Sequence, residues 1–234
     1  MPADYSAIGT DIHSHLIPGI DDGVQQLEES IHLIRELSAL GYHTIVTSPH
    51  IMTDGYNNSA DEILSGRDRV REALVKENIS VRFEAIAEYY LDETIFPKID
   101  KRELLTVGDN FVLVELSFFN KSHNTNCYFF ELRSAGYKVI LAHPERYPYY
   151  HEPSFESYDE LLDAGVFFQL NLSSLTGVYG KNVKAISEKL IDKGMIHFAG
   201  TDLHNLRHLS YIKEVLNEPY TAKLLQLSLM NHLL

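Results

Sequence analysis

The sequence predicts an α/β protein with parallel strands: an incomplete or distorted (β/α) barrel first, an open doubly wound sheet second. Three observations lead there. Seven short apolar runs alternate with longer amphipathic ones, which implies parallel strands joined by right-handed crossovers. Seven is close to the eight strands of a closed barrel. Six of the seven runs also end in His, Asp or Glu. In a barrel those ends share one mouth, where active sites are built.

The runs lie at 8–13, 44–47, 81–87, 111–116, 138–142, 166–170 and 196–200, and are rich in the β-branched and aromatic residues that strands favour. The clearest helix spans 27–40. Leu27, Ile31, Ile34, Leu37 and Leu40 recur at three- to four-residue spacing, Glu28 and Glu29 sit early, and Gly41 marks the stop. Further helices are expected at 61–76, 126–135, 157–164, 183–193 and 209–216, with a last one near 221–232.

Composition bounds the function. The 234 residues read as a single domain, 1–234, with a formal net charge of −13. That balance argues against nucleic acid or an anionic membrane as the main partner. One cysteine excludes a disulfide scaffold. The first residues carry no basic stretch followed by an apolar run. The longest apolar runs, such as 111–114, are far below the roughly 18 residues of a membrane-spanning helix. A cytoplasmic protein without membrane insertion is expected. The anomaly is twelve histidines beside no tryptophan; imidazoles and carboxylates together can gather metal ions.

Those residues stand where a site would be built. The first strand closes with Asp11-Ile-His13-Ser-His15, and two residues apart on a strand point to one side. The second ends at His50, the third at Glu88, the fourth at Glu115, the fifth at His143-Pro-Glu-Arg146, and the seventh at Asp202-Leu-His204. Any one of these is more often a loop or capping residue. Two i, i+2 pairs plus four further ligand-type residues at equivalent ends exceed what capping supplies. Five imidazoles with several acids also exceed what one tetrahedral ion needs, and such N/O sets suit Mn, Fe, Zn or Co at adjacent positions. His32, His123, His151, His208 and His232 are read as structural or solvated, and His43 and His197 lie at the wrong strand ends.

At these residues the sequence resembles the PHP (polymerase and histidinol phosphatase) superfamily, above all its metal-dependent bacterial protein-tyrosine phosphatases of capsule and exopolysaccharide clusters. The matching motifs are Asp11-Ile-His-Ser-His15 with Asp21-Asp22-Gly23, Thr47-Ser-Pro-His50, Ala87-Glu-Tyr89, Ala142-His-Pro-Glu-Arg-Tyr147 and Thr201-Asp-Leu-His-Asn205. The resemblance implies a distorted (β/α)7 TIM-like barrel, the PHP fold, holding two to three divalent ions. Manganese is the first expectation, with Fe, Zn, Co or Mg as alternatives. It implies His13, His15, Glu88 and Asp202 at one metal, Glu88, Glu115 and His143 at a second, and Asp22, His50 and His204 at a third, with Asp21 competing for the place of Asp22. Arg146 and Arg207 would grip the phosphate, and His204 or Asp202 could donate the leaving-group proton. The implied reaction is attack of a metal-bound hydroxide on phosphotyrosine. The implied substrate is a tyrosine-phosphorylated protein, a polysaccharide co-polymerase or tyrosine kinase. Two departures bear on assembly: a longer segment before the first motif, and no Glu-x-x-Arg-Arg run. An oligomer stays open.

Tyr89, Tyr90, Phe118, Phe119, Tyr147, Tyr149 and Tyr150 follow strand ends and could wall the mouth, though packing under loops is the readier account of each. Cys127 to Arg133 fits the C-x5-R spacing of cysteine-dependent phosphatases, but the intervening Tyr-Phe-Phe-Glu-Leu cannot form a phosphate-cradling loop; Cys127 is read as a packed, inert thiol. The rivals are a histidinol-phosphate phosphatase or other PHP phosphoesterase, a lysine-bridged amidohydrolase, disfavoured because Glu88 and Glu115 stand at the strand ends, and a regulator that binds phosphoprotein without turnover.

Overall fold

In the computed structural model, which describes residues 4–234, the chain alternates strand and helix nearly throughout. The strands are β1 (Thr10–Asp11), β2 (Thr44–Thr47), β3 (His50–Ile51), β4 (Arg82–Ala85), β5 (Glu88–Tyr90), β6 (Phe111–Glu115), β7 (Lys138–Ala142), β8 (Phe167–Asn171) and β9 (Phe198–Gly200). The helices are α1 (Leu27–Ala39), α2 (Ala60–Lys76), α3 (Ile95–Lys101), α4 (Thr125–Ser134), α5 (Glu156–Asp163), α6 (Lys181–Asp192), α7 (Leu206–Val215) and α8 (Pro219–Leu224).

Nine strands make seven staves. Every strand-to-strand ladder is parallel, in the orders β1-β2-β4 and β3-β5-β6-β7-β8-β9. The second stave is β2 continued into β3, and the third is β4 continued into β5. Ser48-Pro49 interrupts the second because proline has no N–H for a ladder. The interruption is short: Ile86 N donates to Thr47 O (2.9 Å) and Glu88 N to Pro49 O (3.0 Å). The barrel closes where Ser14 bridges Leu203, with His15 N donating to Leu203 O (2.9 Å) and Asp202 N to His13 O (2.7 Å). Asp11 reinforces this seam, accepting from Thr201 N (2.9 Å) and Oγ1 (2.8 Å). This is the distorted seven-stranded barrel that the alternation predicts.

Side-chain alternation then sorts the interior into levels. On β6, Phe111 and Leu113 belong to a small interior apolar cluster with Ile86, Ile140, Ala142 and Phe198. Two residues further along the same faces stand Glu115, Glu88 and, past Gly200, Asp202. Apolar residues thus fill the N-terminal half of the barrel and charged ones the C-terminal half. The larger apolar cluster, with Ile45, Val112, Val114, Val139 and Leu141, faces the helices.

Two elements depart from the expectation. The short α3 has no counterpart among the expected helices; it is only 7 residues long, and Thr94 at its start makes no side-chain cap hydrogen bond. The last helix is α8 and ends at Leu224, not near 232. Beyond it the chain turns under the barrel, where Asn231 donates to Thr10 O (2.8 Å) and Ala199 O (2.7 Å). A continued helix could not deliver that amide between two strands. Cys127 is exposed on α4, not packed.

Candidate metal centre

The C-terminal strand ends gather their polar residues into one cavity of about 340 Å³, lined by Asp22, His50, Glu88, Glu115, His143, Arg146, Asp202 and His204 among others. His13 and His15 lie directly beneath, fully buried. His13 Nε2 is 3.1 Å from Glu88 Oε2 and 3.3 Å from Asp202 Oδ1; His15 Nε2 is 3.5 Å from each and 3.3 Å from His13 Nε2. A tetrahedral ion about 2.0–2.1 Å from its ligands needs them roughly 3.3 Å apart. Each of the two imidazole nitrogens stands at about that spacing from the other and from both carboxylates.

Around them the groups overlap. His143 Nε2 is 3.1 Å from Glu88 Oε1, and His143 clusters with His13 and Asp202. His50 Nδ1 is 3.0 Å from Glu115 Oε1 and 3.2 Å from Glu88 Oε2. Asp22 Oδ1 is 3.5 Å from both His50 Nε2 and His204 Nε2. Glu88 touches every inner group, and His50 stands between an inner and an outer one.

The histidines are aimed by partners behind them. His13 Nδ1 is 2.8 Å from Gln169 Oε1, and the Gln169 amide is oriented by its donation to Leu170 O (2.7 Å). His15 Nδ1 is 2.7 Å from Asp21 Oδ2, which also accepts from His50 N (3.1 Å). Such partners take the ring proton and leave Nε2 free to ligate. Asp21 is therefore the carboxylate behind the histidine, and Asp22 the one at the cavity. Gln169 escaped sequence reading; a lone amide inside Val166-Phe-Phe-Gln-Leu170 was its only signal.

Two backbone positions are strained in the left-handed region without glycine, His143 at φ 37° and Asp202 at φ 51°. Both are the turning points at which a strand delivers its polar residue. Gly200 answers the opposite need: a Cβ there would meet Gln169 Nε2 at 2.7 Å and His13 Cβ at 2.8 Å.

The electrostatics are those of crowded, buried charge. Burial disfavours the His13 cation, yet Glu88 and Asp202 beside it carry its pKa up to about 9. Burial favours neutral Asp202, but the surrounding imidazoles hold its carboxyl well below the usual range. Burial, with Glu88 nearby, pushes Glu115 up. Burial lowers His143 to about 4, keeping it a neutral donor. His143 Nδ1 is buried without a hydrogen-bond partner, and His50 Nδ1 and Glu115 Oε1 stand 3.0 Å apart without hydrogen-bond geometry between them. Three carboxylates, several free imidazole nitrogens and orphaned buried atoms are a donor set that fits divalent cations.

Arg146 reaches the cavity, with Nη1 donating to Asp202 Oδ2 (2.9 Å). Arg207 does not. It projects from the exposed first turn of α7, and its Nε donates to Tyr211 Oη (2.6 Å) four residues on. Of the two arginines expected at the phosphate, the structure brings Arg146 to the cavity and does not bring Arg207 there. His208, read from sequence as structural or solvated, lines the cavity; Asn205 caps α7 by accepting from His208 N (3.1 Å), which turns that residue inward. Of the mouth aromatics, Phe118 lines the cavity together with Tyr179, which the sequence did not suggest. Tyr89, Tyr147 and Tyr150 are buried, and Phe119 is 89% exposed.

Comparison with known proteins agrees. Residues 9–224 match the family model described as "Capsular polysaccharide synthesis, CpsB/CapC". The chain is 31% identical over 198 residues to the tyrosine-protein phosphatase YwqE of Bacillus subtilis (strain 168), covering 84% of this chain and 78% of that one. It is 26% identical over 225 residues to the tyrosine-protein phosphatase CpsB of Streptococcus pneumoniae, covering 91% of each. A crystal structure from work on those two, described as unique metal-dependent tyrosine phosphatases, superposes with a TM-score of 0.81 at 29% identity, over 92% of this chain and 89% of the other.

Proposed function

We propose that this chain, which belongs to the CpsB/CapC capsular polysaccharide synthesis family, is a metal-dependent protein-tyrosine phosphatase acting on a phosphorylated protein of capsule or exopolysaccharide synthesis. The observation that carries the reading is the group of His13, His15, Glu88 and Asp202, in which each imidazole nitrogen stands 3.1–3.5 Å from the other and from both carboxylates, opening into a cavity that also holds an arginine. We assign the cytoplasm as its compartment and a polysaccharide-associated tyrosine kinase as its substrate; the relatives' names support a tyrosine-phosphorylated protein as substrate, and the family description supports the link to polysaccharide synthesis. Among the described residues no helix is long and apolar enough to cross a membrane.

His13, His15, Glu88 and Asp202 would hold one ion. Glu88, Glu115 and His143 would share a second, and Asp22, His50 and His204 a third, with manganese as the expected metal. Bound divalent ions would supply Lewis acidity at phosphorus and lower the pKa of a coordinated water. The chain's own residues do the rest. Asp21 and Gln169 fix the rings of His15 and His13. Asp202 offers Oδ1 to the histidines and Oδ2 to Arg146. Arg146 keeps further N–H groups for phosphate oxygens, for which its fork is suited. A phenol leaving group has a pKa near about 10, so little protonation is needed as the bond to phosphorus breaks.

The test compares metal-stripped protein with protein resupplied with manganese, on phosphotyrosine and phosphoserine peptides and on histidinol phosphate. Manganese should restore phosphotyrosine hydrolysis, at least tenfold above the other two. Undiminished turnover in chelator, or preference for histidinol phosphate, would sink the proposal.

A further inference from the structure

Three successive strands each send one residue to the same corner of the cavity. Phe118 follows β6, Arg146 ends the 3₁₀ turn Pro144–Arg146 after β7, and Tyr179 lies in the loop after β8, between Gly177 (φ 80°) and Gly180 (φ 106°). The Arg146 Cζ sits 4.2 Å from the Tyr179 ring centroid and 4.7 Å from that of Phe118. Both distances are within the range at which a guanidinium is attracted to an aromatic ring. The same corner closes through hydrogen bonds. Asn171 Nδ2 donates to Asp202 Oδ2 (2.7 Å) and, at 3.4 Å, to Tyr179 Oη, while Arg146 Nη1 donates to that same Asp202 oxygen (2.9 Å).

The bond to Asp202 fixes one nitrogen of Arg146 and leaves the plane of the guanidinium free to turn about it. A long side chain held at one point does not present a fork; it must also be held in plane. The two rings supply that second restraint. We propose that Tyr179 is a positioning residue: with Phe118 it seats the guanidinium of Arg146, so that the edge not bonded to Asp202 faces the phosphate. This rests on the phosphatase reading above. It goes beyond that reading by assigning a role to a loop tyrosine that is itself no member of the donor group.

A ring that merely walled the substrate would act on the aryl group, whereas a ring that seats Arg146 acts on phosphate itself. Inorganic phosphate, which has no ring, separates the two. In the manganese-loaded protein, Tyr179→Leu should raise the KM for an aryl phosphate and the inhibition constant of inorganic phosphate in parallel, each by about tenfold. Tyr179→Phe, which keeps the ring and loses the hydroxyl, should recover most of both. In an Arg146→Ala background, Tyr179→Leu should change neither constant further, because its effect passes through the missing guanidinium. Phe118→Leu, at a half-exposed loop position, should repeat the signature if Tyr179→Leu does not fold. An unchanged phosphate constant, an additive effect in the Arg146→Ala background, or loss of bound manganese in Tyr179→Leu would overturn the assignment. If the parent protein shows no metal-dependent hydrolysis, the phosphatase reading fails and takes this inference with it. If the parent is active and Tyr179→Leu behaves like it, only this inference fails.

Discussion

The two ends of the barrel are built from the same seven staves and obey opposite rules. At the N-terminal end Phe111, Phe167 and Phe198 meet edge to face, with centroids 5.4, 5.4 and 6.3 Å apart. Leu234 packs into the same cluster. The Asn231 amide there is satisfied: it accepts from Ala199 N (3.0 Å) and donates to Thr10 O and Ala199 O. At the C-terminal end Glu88, Glu115 and Asp202 crowd buried imidazoles, His143 and Asp202 sit at positive φ, and the buried His143 Nδ1 lacks a hydrogen-bond partner. The apolar cluster at one end is filled by protein atoms alone. The other end holds a donor set that fits ions which protein does not supply, and the packed end is what lets the barrel tolerate it.

The sharpest way to break this contrast is one isosteric change at each end. Glu88→Gln removes the charge that every inner group touches. Turnover of an aryl phosphate should fall by about 10³ or more and bound metal should be lost, while the metal-free protein should lose on the order of 3 kcal/mol of stability, because His13 and its neighbours are left buried without that carboxylate. Elemental analysis, kinetics and urea denaturation read the three quantities. Full activity with metal retained would mean that the polar end does not depend on this carboxylate.

Phe198→Ala is the mirror image. It empties a fully buried ring site at the apolar end and should cost about 3–5 kcal/mol of stability. Assayed well below its lowered Tm, it should keep the parent's turnover per folded molecule. A large loss of kcat at retained fold would show that the two ends are coupled.

The metal-free protein should also show the contrast in its pH dependence. Opposed to the cost of burial, Glu88 and Asp202 raise His13 to about 9 from an ordinary 6.5. A raised imidazole contributes stability that is fully present below pH 6.5 and is lost as pH climbs through 9. Unfolding free energy of the stripped protein should therefore fall across that window, by on the order of 3 kcal/mol. With manganese bound the dependence should reverse, because ligation requires the neutral ring and strengthens as protons leave. A flat profile for the stripped protein would show that His13 is not paired as the geometry places it.

What could be read in the sequence follows the same division. The staves were legible because apolar alternation is local, and His13, His15, Glu88, Glu115, His143, Asp202 and His204 were legible because strand ends converge in any parallel barrel. Asp21 against Asp22 was not, since adjacent residues in a loop have no periodicity to say which one faces inward. Gln169, Tyr179 and His208 were missed for one reason: each acts by touching a residue from a distant strand or a cap, and only the closed barrel brings those partners within reach. The shortened last helix belongs with them, because Asn231 is held by Thr10 and Ala199, far away in the chain.

The two arginines give the smallest and most discriminating prediction. From sequence both follow a ligand-bearing strand end within a few residues, and a motif treats them alike. The fold does not. Arg146 is anchored to Asp202 Oδ2 beneath two rings, whereas Arg207 lies on the solvent side of α7 against Tyr211, with its Cζ 5.8 Å from that ring. An exposed i, i+4 contact of this kind is worth only a few tenths of a kcal/mol to the helix. Arg207→Ala should accordingly change KM for an aryl phosphate, and the inhibition constant of inorganic phosphate, by less than about twofold, with Tm nearly unmoved. Arg146→Ala should raise both constants by at least about tenfold. Measured on small substrates the two variants should separate cleanly. If Arg207→Ala weakened inorganic phosphate as much as Arg146→Ala does, the first turn of α7 would have to swing inward on binding, and the polar end of the barrel would be a moving site.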